Sequence, residues 1–228
     1  IINAKPELDN SKEDPGQING EIDMRNVSFR YSEDGPYILR DLSLKIHEGD
    51  FVAFVGPSGC GKSTLFRLLL GFEQPEIGSI LYNNQDISGL DINSIRRQIG
   101  TVLQTASISA GSMFENIASG LVITLDEAWM AAKDAGLDED INAMPMGMHT
   151  LVSEGGGNLS GGQRQRLLIA RSLVTNPKIL LFDEATSALD NRTQEIVSRS
   201  ISRRNVTRLV IAHRLSTIED ADHIVVLN

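Results

Sequence analysis

The sequence predicts an α/β fold built around a mostly parallel core sheet. Residues 51–55 are continuously apolar, as expected of a strand buried on both faces, and a Gly-rich turn separates them from a predicted helix over residues 62–70. Short apolar runs at 101–103, 179–182 and 208–212 are predicted to supply further strands, with helical stretches between them. Alternation of strands and helices is typical of a parallel sheet.

Two further parts accompany this core. Residues 21–31 and 42–46 alternate apolar and polar side chains, which predicts antiparallel strands. Residues 125–136 are amphipathic with helical periodicity, and no strand candidate lies between residues 104 and 159. We therefore expect an antiparallel β subdomain and, over residues 105 to about 175, an inserted α-helical lobe.

The two ends of the chain differ from its centre in composition and pattern. Residues 1–20 hold prolines and scattered charges without apolar periodicity, which indicates a linker and places the folded domain at 21–228. The chain begins with Ile1 rather than Met, and residues 223–228 resemble a strand leading into a turn beyond the chain. We expect a domain cut from a longer polypeptide and truncated at its C-terminal end.

Composition excludes several classes of protein. The formal net charge of −9 argues against a general nucleic-acid binder, because affinity for a phosphate backbone depends on clustered Lys and Arg. Cys60 is the single cysteine, which excludes an intrachain disulfide and favours a reducing setting. The apolar runs are strand-sized, so no membrane span is predicted.

A phosphate-binding loop is the strongest local motif. Residues 56–64 read GPSGCGKST, which fits the pattern G-x-x-x-x-G-K-[ST] between a predicted strand and a predicted helix. Glycines let backbone N–H groups face a phosphate, the lysine reaches the β and γ phosphates, and the serine can ligate Mg²⁺. The alternative is a merely Gly-rich turn. The predicted binding residues are Gly56, Ser58, Gly59, Cys60, Gly61, Lys62, Ser63 and Thr64.

Two carboxylates follow another predicted strand. Asp183 and Glu184 come directly after the apolar run 179–182, at the strand end where open α/β sheets bind their ligands. Asp183 is predicted to support Mg²⁺, and Glu184 is predicted to polarise the attacking water as a general base. The alternative is a solvated acidic turn.

A third motif lies before a predicted helix over residues 164–173. Residues 159–163 read LSGGQ, which resembles the signature motif of ABC transporters letter for letter. The resemblance to ABC nucleotide-binding domains covers about residues 21–228. It implies that ATP is sandwiched between two such domains, with the Ser160 hydroxyl and the Gly162 amide contacting the γ phosphate held by the second one. A turn that only caps a helix is the alternative. The matched residues are Ser160, Gly161, Gly162 and Gln163.

The resemblance extends to two residues that follow predicted strands. Gln104 matches the glutamine that the family is understood to bring to Mg²⁺ or the attacking water. His213 matches the histidine that senses the γ phosphate and positions the water of Glu184. A strand-end glutamine and a structural histidine are the alternatives.

Two more residues match family positions near the ends of the nucleotide. Tyr31 closes the first predicted strand, where the family places the aromatic residue that stacks on adenine; the alternative is an aromatic on a strand face. Residues 187–190 read SALD and resemble the loop that crosses the dimer interface. Asp190 can equally be the N-cap of a helix, and both interpretations are compatible.

Further resemblances favour an exporter. Residues 115–117 read ENI and residues 154–157 read EGGG, at the places where exporter domains carry comparable segments. Residues 143–150 and 153–157 look most like exporters of bacteriocin-type peptides whose precursors carry nitrile-hydratase-like leaders. A phenylalanine usual within 106–110 and an arginine usual beside Glu154 are absent, which leaves the contacts to the coupling helices open.

Taken together, these motifs and the resemblance imply an ATPase domain that binds ATP and Mg²⁺. The metal is expected to be held by Ser63, Gln104 and Asp183. The implied partners are a second nucleotide-binding domain and a transmembrane domain of the same polypeptide, at the cytoplasmic face of a bacterial plasma membrane, with no nucleic acid. A soluble ABC ATPase and a non-hydrolysing dimerisation module are the rival interpretations. Cargo, a leader peptidase domain, and homodimer versus heterodimer stay open.

Overall fold

Strands and helices alternate along most of the computed structural model, which describes residues 12–185, 188–212 and 218–228. In chain order the strands are β1 (Ile22–Phe29), β2 (Leu39–Ile46), β3 (Phe51–Val55), β4 (Ile77–Tyr82), β5 (Gln85–Asp86), β6 (Ile99–Val102), β7 (Gly111–Ser112), β8 (Leu151–Val152), β9 (Ile179–Asp183), β10 (Thr207–Ile211) and β11 (His223–Val226). The α-helices are α1 (Lys62–Leu69), α2 (Ile92–Arg96), α3 (Met113–Ala118), α4 (Leu125–Asp134), α5 (Asp138–Ala143), α6 (Gly161–Leu173) and α7 (Asn191–Ser202).

The central sheet has the order β11-β3-β10-β9-β6, and every neighbouring pair in it is parallel. Successive residues of β9 face opposite cores: Ile179 and Leu181 belong to one buried cluster, and Leu180 and Phe182 belong to the other. Burial on both faces explains why these strands read as continuous apolar runs. The predicted parallel core is therefore confirmed.

A second, antiparallel sheet has the order β2-β1-β4-β5. The alternating patterns predicted its first two strands, whereas β4 and β5 were not predicted. Tyr82 at the end of β4 is fully buried and donates a 2.7 Å hydrogen bond to the carbonyl of Leu69 at the end of α1. This contact ties the antiparallel sheet to the helix that follows the phosphate loop.

Packing begins upstream of the expected domain start at residue 21. Ile18 is 1% exposed and belongs to the same buried cluster as α1. The side chain of Gln98 accepts from the amide of Ile18 at 2.9 Å and donates to the carbonyl of Gly16 at 2.8 Å. A single apolar side chain makes this contact, so no periodic pattern marks it in the sequence. Residues 1–11 lie outside the described residues.

The inserted lobe is mainly helical, as expected, and comprises α3, α4, α5 and α6. The four alanines of α4 and its C-terminal end are all buried in the core of this lobe: Ala128, Ala131, Ala132 and Ala135. The expectation of no strand in this region is wrong, because β7 and β8 form a short antiparallel pair. Strands of two residues are too short to show a period in the sequence.

In the part of the chain that the structure describes, no helix combines the length and apolarity needed to cross a membrane.

Candidate functional site

The loop at 56–61 connects β3 to α1 and has a conformation that requires glycine. Gly56 has φ of 151°, and a Cβ there would lie 2.2 Å from the carbonyl oxygen of Leu227. Gly61 has φ of 97° and is the N-cap of α1 in the left-handed region. A side chain at either position would strain or displace the loop. The loop therefore curls tightly at the N-terminus of α1.

Lys62 fills this loop with its ammonium group. The side chain is buried, and Nζ donates to the carbonyls of Gly56 and Pro57, each at 2.9 Å. The Sγ atom of Cys60 lies 3.6 Å from the same nitrogen. These contacts hold the cation of the loop beside the backbone that a phosphate would approach.

Ser63 and Asp183 meet at the edge of the parallel sheet. Ser63 Oγ donates to Asp183 Oδ2 at 3.0 Å, and Asp183 is buried at the end of β9. A hydroxyl and a carboxylate are the hard oxygen donors that Mg²⁺ prefers, and Mg²⁺ commonly takes only one or two protein ligands beside substrate phosphates. The pair thus fits the predicted metal site.

Glu184 occupies an unusual backbone conformation next to this pair. Its φ is 56°, in the left-handed region that non-glycine residues rarely adopt. Its amide donates to the carbonyl of Ile211 at 3.2 Å, and its carbonyl accepts from Gln165 Nε2 at 3.0 Å. Strained residues held by surrounding bonds cluster at functional sites. This backbone conformation sets the direction in which the Glu184 side chain extends from the end of β9.

Gln104 faces the same region from the next strand. It lies two residues beyond β6, is exposed, and lines a cleft of about 450 Å³ together with Asp183, Glu184 and Gly161. The structure therefore brings together four predicted site residues from two strand ends and the start of α6. Their shared cleft is lined by residues that follow strands of the parallel sheet and by residues of α6.

The LSGGQ segment forms the N-terminus of α6. Ser160 is the N-cap: its Oγ accepts from the amide of Gln163 at 3.2 Å, and its own amide donates to Gln163 Oε1 at 2.9 Å. The segment is thus a capped helix N-terminus, and this cap is compatible with the predicted contact to a γ phosphate. Ser160 and Gly161 are exposed, and Gly162 is half-buried, so the start of the helix borders solvent.

Tyr31 stands beside the phosphate loop rather than within a strand. The strand β1 ends at Phe29, and the Tyr31 ring contacts that residue edge-to-face at a centroid distance of 4.9 Å. Tyr31 is 58% exposed, and its hydroxyl lies 3.1 Å from Thr64 Oγ1. The expectation that Tyr31 closes the strand is therefore wrong by two residues, because β1 ends at Phe29. Its ring remains free to contact a ligand.

Asp190 is the N-cap of α7. Its carboxylate accepts hydrogen bonds from the backbone amide and the hydroxyl of Thr193, each at 2.9 Å. These two bonds, the one from the amide above all, hold the pKa of Asp190 below its usual range. This confirms the cap interpretation. Residues 186–187 and His213 lie outside the described residues, so the structure gives no geometry for that part of the predicted site.

The exporter-like segments have local partners in the lobe. Glu115 completes a capping box with Ser112 at the start of α3, and hydrogen bonds from Ser112 hold the pKa of Glu115 low. Asn116 is buried and donates to the carbonyl of Ser109, and Glu154 accepts from the amide of Ala110. These contacts attach the segment that follows Gln104 to the helical lobe.

The sequence analysis did not identify Gln165 as a site residue. Its Nε2 donates to the carbonyl of Glu184, and its Oε1 accepts from the amide of Ala188 at 2.7 Å. Gln165 thereby links α6 to Glu184 and Ala188, which lie on either side of residues 186–187 in the sequence. Its place two residues after the LSGGQ segment is the only sequence signal, and it does not reveal these partners.

Comparison with known proteins agrees with this geometry. The family described as ABC transporter matches residues 39–187. The alpha-hemolysin translocation ATP-binding protein HlyB of Escherichia coli O157:H7 is 45% identical over 231 residues, and the leukotoxin export ATP-binding protein LtxB of Aggregatibacter actinomycetemcomitans is 43% identical over 231 residues. Each alignment includes 100% of this chain and 33% of the relative, so the chain spans about a third of their length.

Solved structures give the same result. A solved structure of a bacterial Atm1-family ABC exporter with ATP bound superposes with a TM-score of 0.87 at 41% identity, covering 96% of this chain and 40% of that one. The family match alone covers more than half of the chain. The chain therefore belongs to the ABC transporter family, whose ATP-binding proteins are ATPases.

Proposed function

We propose that this domain binds ATP and Mg²⁺ at the phosphate loop and hydrolyses the nucleotide to power export. The observation that carries the proposal is the hydrogen bond between Ser63 and Asp183, with Glu184 next in the chain. This hydrogen bond joins the start of α1, which follows the phosphate loop, to the end of β9, where Glu184 is the proposed general base. A phosphoryl-transfer site needs this proximity of metal ligands and water-positioning group.

The residues of the loop have distinct roles in binding. The glycine-shaped backbone and the N-terminus of α1 receive the phosphates, and Lys62 neutralises the β and γ phosphates. Ser63 and Asp183 would hold Mg²⁺, and Gln104, which lines the same cleft as Asp183, would contact the metal or the attacking water. When bound, the metal offsets charge on the β and γ phosphate oxygens. Tyr31 stacks on the adenine ring.

Glu184 acts as the general base. A water oxygen forms a bond to the γ phosphorus, the bond from that phosphorus to the bridging oxygen of ADP breaks, and the proton of the water passes to the Glu184 carboxylate. Gln165 holds the Glu184 carbonyl, which keeps the carboxylate at the strand end. His213, which lies outside the described residues, is proposed to position the same water.

The site is completed by a second nucleotide-binding domain. Ser160 and Gly162 begin α6 at the border with solvent, where they can donate to the γ phosphate held by a partner copy. Asp190 lies in the segment that resembles the interface loop of the family. One chain carries both halves of this composite site, so two copies can form two equal sites.

The transport context extends beyond this chain. The relatives named above are translocation and export proteins about three times as long, and we propose that this domain is joined to a transmembrane domain at the cytoplasmic face of a bacterial plasma membrane. Their names concern protein toxins. For this chain a peptide cargo of the bacteriocin type is proposed, supported by the segments at 143–150 and 153–157.

Phosphate release by the purified domain tests the proposal. The parent should hydrolyse ATP with Mg²⁺ and lose activity in EDTA, and Glu184→Gln should reduce the rate by about 10² to 10⁴, as for removal of a general base. Glu195→Gln, at a similar glutamate on α7, should keep the parent rate. Equal rates for the parent and Glu184→Gln would contradict the proposal.

A further inference from the structure

We infer that Asp140 is a positioning residue for the signature turn and thereby controls how tightly a second domain grips ATP. The inference rests on the proposed function, in which Ser160 and Gly162 contact the γ phosphate of a partner. Asp140 lies on α5, 20 residues before the turn, and it belongs to none of the motifs that the sequence singles out.

A chain of hydrogen bonds connects Asp140 to Ser160. Asp140 Oδ1 accepts from Gln163 Nε2 at 2.8 Å. The other end of the same amide, Gln163 Oε1, accepts from the Ser160 backbone amide at 2.9 Å. The Gln163 backbone amide in turn donates to Ser160 Oγ at 3.2 Å. One side chain of α5 is thus linked through Gln163 to the residue that begins α6.

The chemistry of a carboxylate makes this link directional. An ionised carboxylate only accepts hydrogen bonds, whereas a glutamine amide has one donating end and one accepting end. Asp140 therefore obliges the NH₂ group of Gln163 to face α5 and the oxygen to face the Ser160 amide. Without Asp140, the amide can rotate, and the turn loses the bond that closes its capping box from the backbone side.

The orientation leaves the Ser160 hydroxyl ready to donate. Because Ser160 Oγ accepts from the Gln163 amide inside the turn, its own hydrogen points elsewhere, and the residue is exposed. A hydroxyl held this way donates to an anion on the solvent side without first breaking a bond. Preorganised donors of this kind are worth more than donors that must reorient.

Arg166 fixes Asp140 in turn. Its Nη2 lies 2.9 Å from Asp140 Oδ2, and its Nη1 donates to the carbonyl of Gly136 at 3.0 Å. The side chains of the pair are only 15% and 25% exposed, so solvent screens their attraction less than that of a surface pair. Both oxygens of Asp140 therefore have a defined partner, and the carboxylate cannot turn away from Gln163.

A double-mutant cycle in the Glu184→Gln protein tests the inference. Asp140→Asn keeps the shape but has a single oxygen; with that oxygen turned to the Arg166 cation, an NH₂ group faces Gln163. Gln163→Glu keeps the capping acceptor but presents a carboxylate to Asp140. The four proteins are compared for MgATP-dependent dimerisation by sedimentation, and for MgADP affinity of the monomer by calorimetry. Glu139→Gln, at an exposed acid on the same helix, is the matched control for the charge removed.

The expected signature is a change of sign. Asp140→Asn should weaken dimerisation about tenfold when residue 163 is glutamine, which corresponds to loss of one hydrogen bond to a charged group. In the Gln163→Glu protein the same substitution should strengthen dimerisation about tenfold, because Asn can donate to the new carboxylate. MgADP affinity should stay within twofold throughout, and Glu139→Gln should change neither quantity.

Three results would overturn the inference. An effect of Asp140→Asn with the same sign in both proteins, or no effect, would show that the link to Gln163 does not govern the turn. A parallel loss of MgADP affinity would indicate a general structural effect. A Glu184→Gln parent that stays monomeric with MgATP would overturn the proposed function itself. This result is obtained from the parent alone, before the variants at 140 and 163 are measured.

Discussion

Ser63 Oγ and Asp183 Oδ2 form a 3.0 Å hydrogen bond across 120 residues of sequence. The bond exists because β3 and β9 both pair in parallel with β10, so their carboxyl ends meet at one edge of the sheet. Ser63 follows β3 through the phosphate loop, and Asp183 is the last residue of β9. The parallel topology thus assembles the predicted metal site from two distant motifs.

The first prediction concerns this pair and Mg²⁺. Ser63→Ala removes the hydroxyl ligand, so the Mg²⁺ concentration for half-maximal ATP hydrolysis should rise about 10- to 100-fold, the range usual for altered metal surroundings. ATP binding measured in EDTA should not change. Ser63→Thr retains the hydroxyl and should behave like the parent. Equal Mg²⁺ requirements for the parent and Ser63→Ala would remove Ser63 from the metal site.

The second prediction separates two roles of Tyr31. Tyr31→Phe loses the contact to Thr64 but keeps the ring, so nucleotide affinity should stay near that of the parent. Tyr31→Ala loses the stacking surface and should weaken binding by about 1–3 kcal/mol, the usual contribution of one base–aromatic stack. Tyr37→Ala removes a ring that lies between Arg30 and Arg40 and serves as the control. Calorimetric titration gives the affinities, and an unchanged value for Tyr31→Ala contradicts the assignment.

The third prediction uses the left-handed backbone of Glu184. Alanine keeps the steric cost of about 1–2 kcal/mol at φ of 56°, and glycine relieves it. The free energy of unfolding in urea should therefore be higher for Glu184→Gly than for Glu184→Ala. At Glu195 within α7 the order should reverse, because glycine costs about 1 kcal/mol relative to alanine inside a helix. If Glu184→Ala were more stable than Glu184→Gly, as expected for the corresponding pair at Glu195, Glu184 would carry no backbone strain.

The fourth prediction concerns Cys60, the single cysteine. Its Sγ lies 3.6 Å from Lys62 Nζ, and a Cβ on Gly56 would come within 2.8 Å of it, so the thiol is packed inside the loop. Attachment of a maleimide should block nucleotide binding, and saturating MgATP should slow the reaction at least about tenfold. Cys60→Ala should bind nucleotide and resist the reagent. Equal labelling rates with and without MgATP would contradict the location of the nucleotide.

Apolar patterning predicted the strands that position this site, and it failed where a segment has no regular apolar period. β3 and β9 are buried on both faces, which produces runs that can be recognised in isolation. β4 was missed because it begins with an exposed isoleucine and a glycine, Ile77 and Gly78, before its buried half. The packing of Ile18 was missed because one apolar residue among polar ones forms no period.

The candidate site divides in the same way. Lys62, Ser63 and Glu184 were predictable as candidate site residues because each lies in a motif defined by its immediate neighbours in the chain. Gln165 and Asp140 were not, because their partners lie 19 and 23 residues away and depend on how α6 packs against the turn after β9 and against α5. Tertiary packing, rather than local pattern, decides such contacts.

The last prediction addresses the central claim, that Glu184 is the base and Lys62 the phosphate-binding cation of an ATP-bridged dimer. Glu184→Gln removes the charge that polarises water and keeps the binding groups, so ATP should persist and hold two copies together. Lys62→Ala removes the cation that binds the β and γ phosphates, so nucleotide and dimer should both be lost. The two inactive variants should therefore differ in mass.

Sedimentation of both variants with MgATP tests this claim most directly. We predict that Glu184→Gln sediments as a dimer with MgATP and as a monomer without nucleotide, while Lys62→Ala stays monomeric in both conditions. A Glu184→Gln protein that remains monomeric with ATP bound, or that hydrolyses ATP at near the parent rate, would contradict the assignment of Glu184 as the catalytic base.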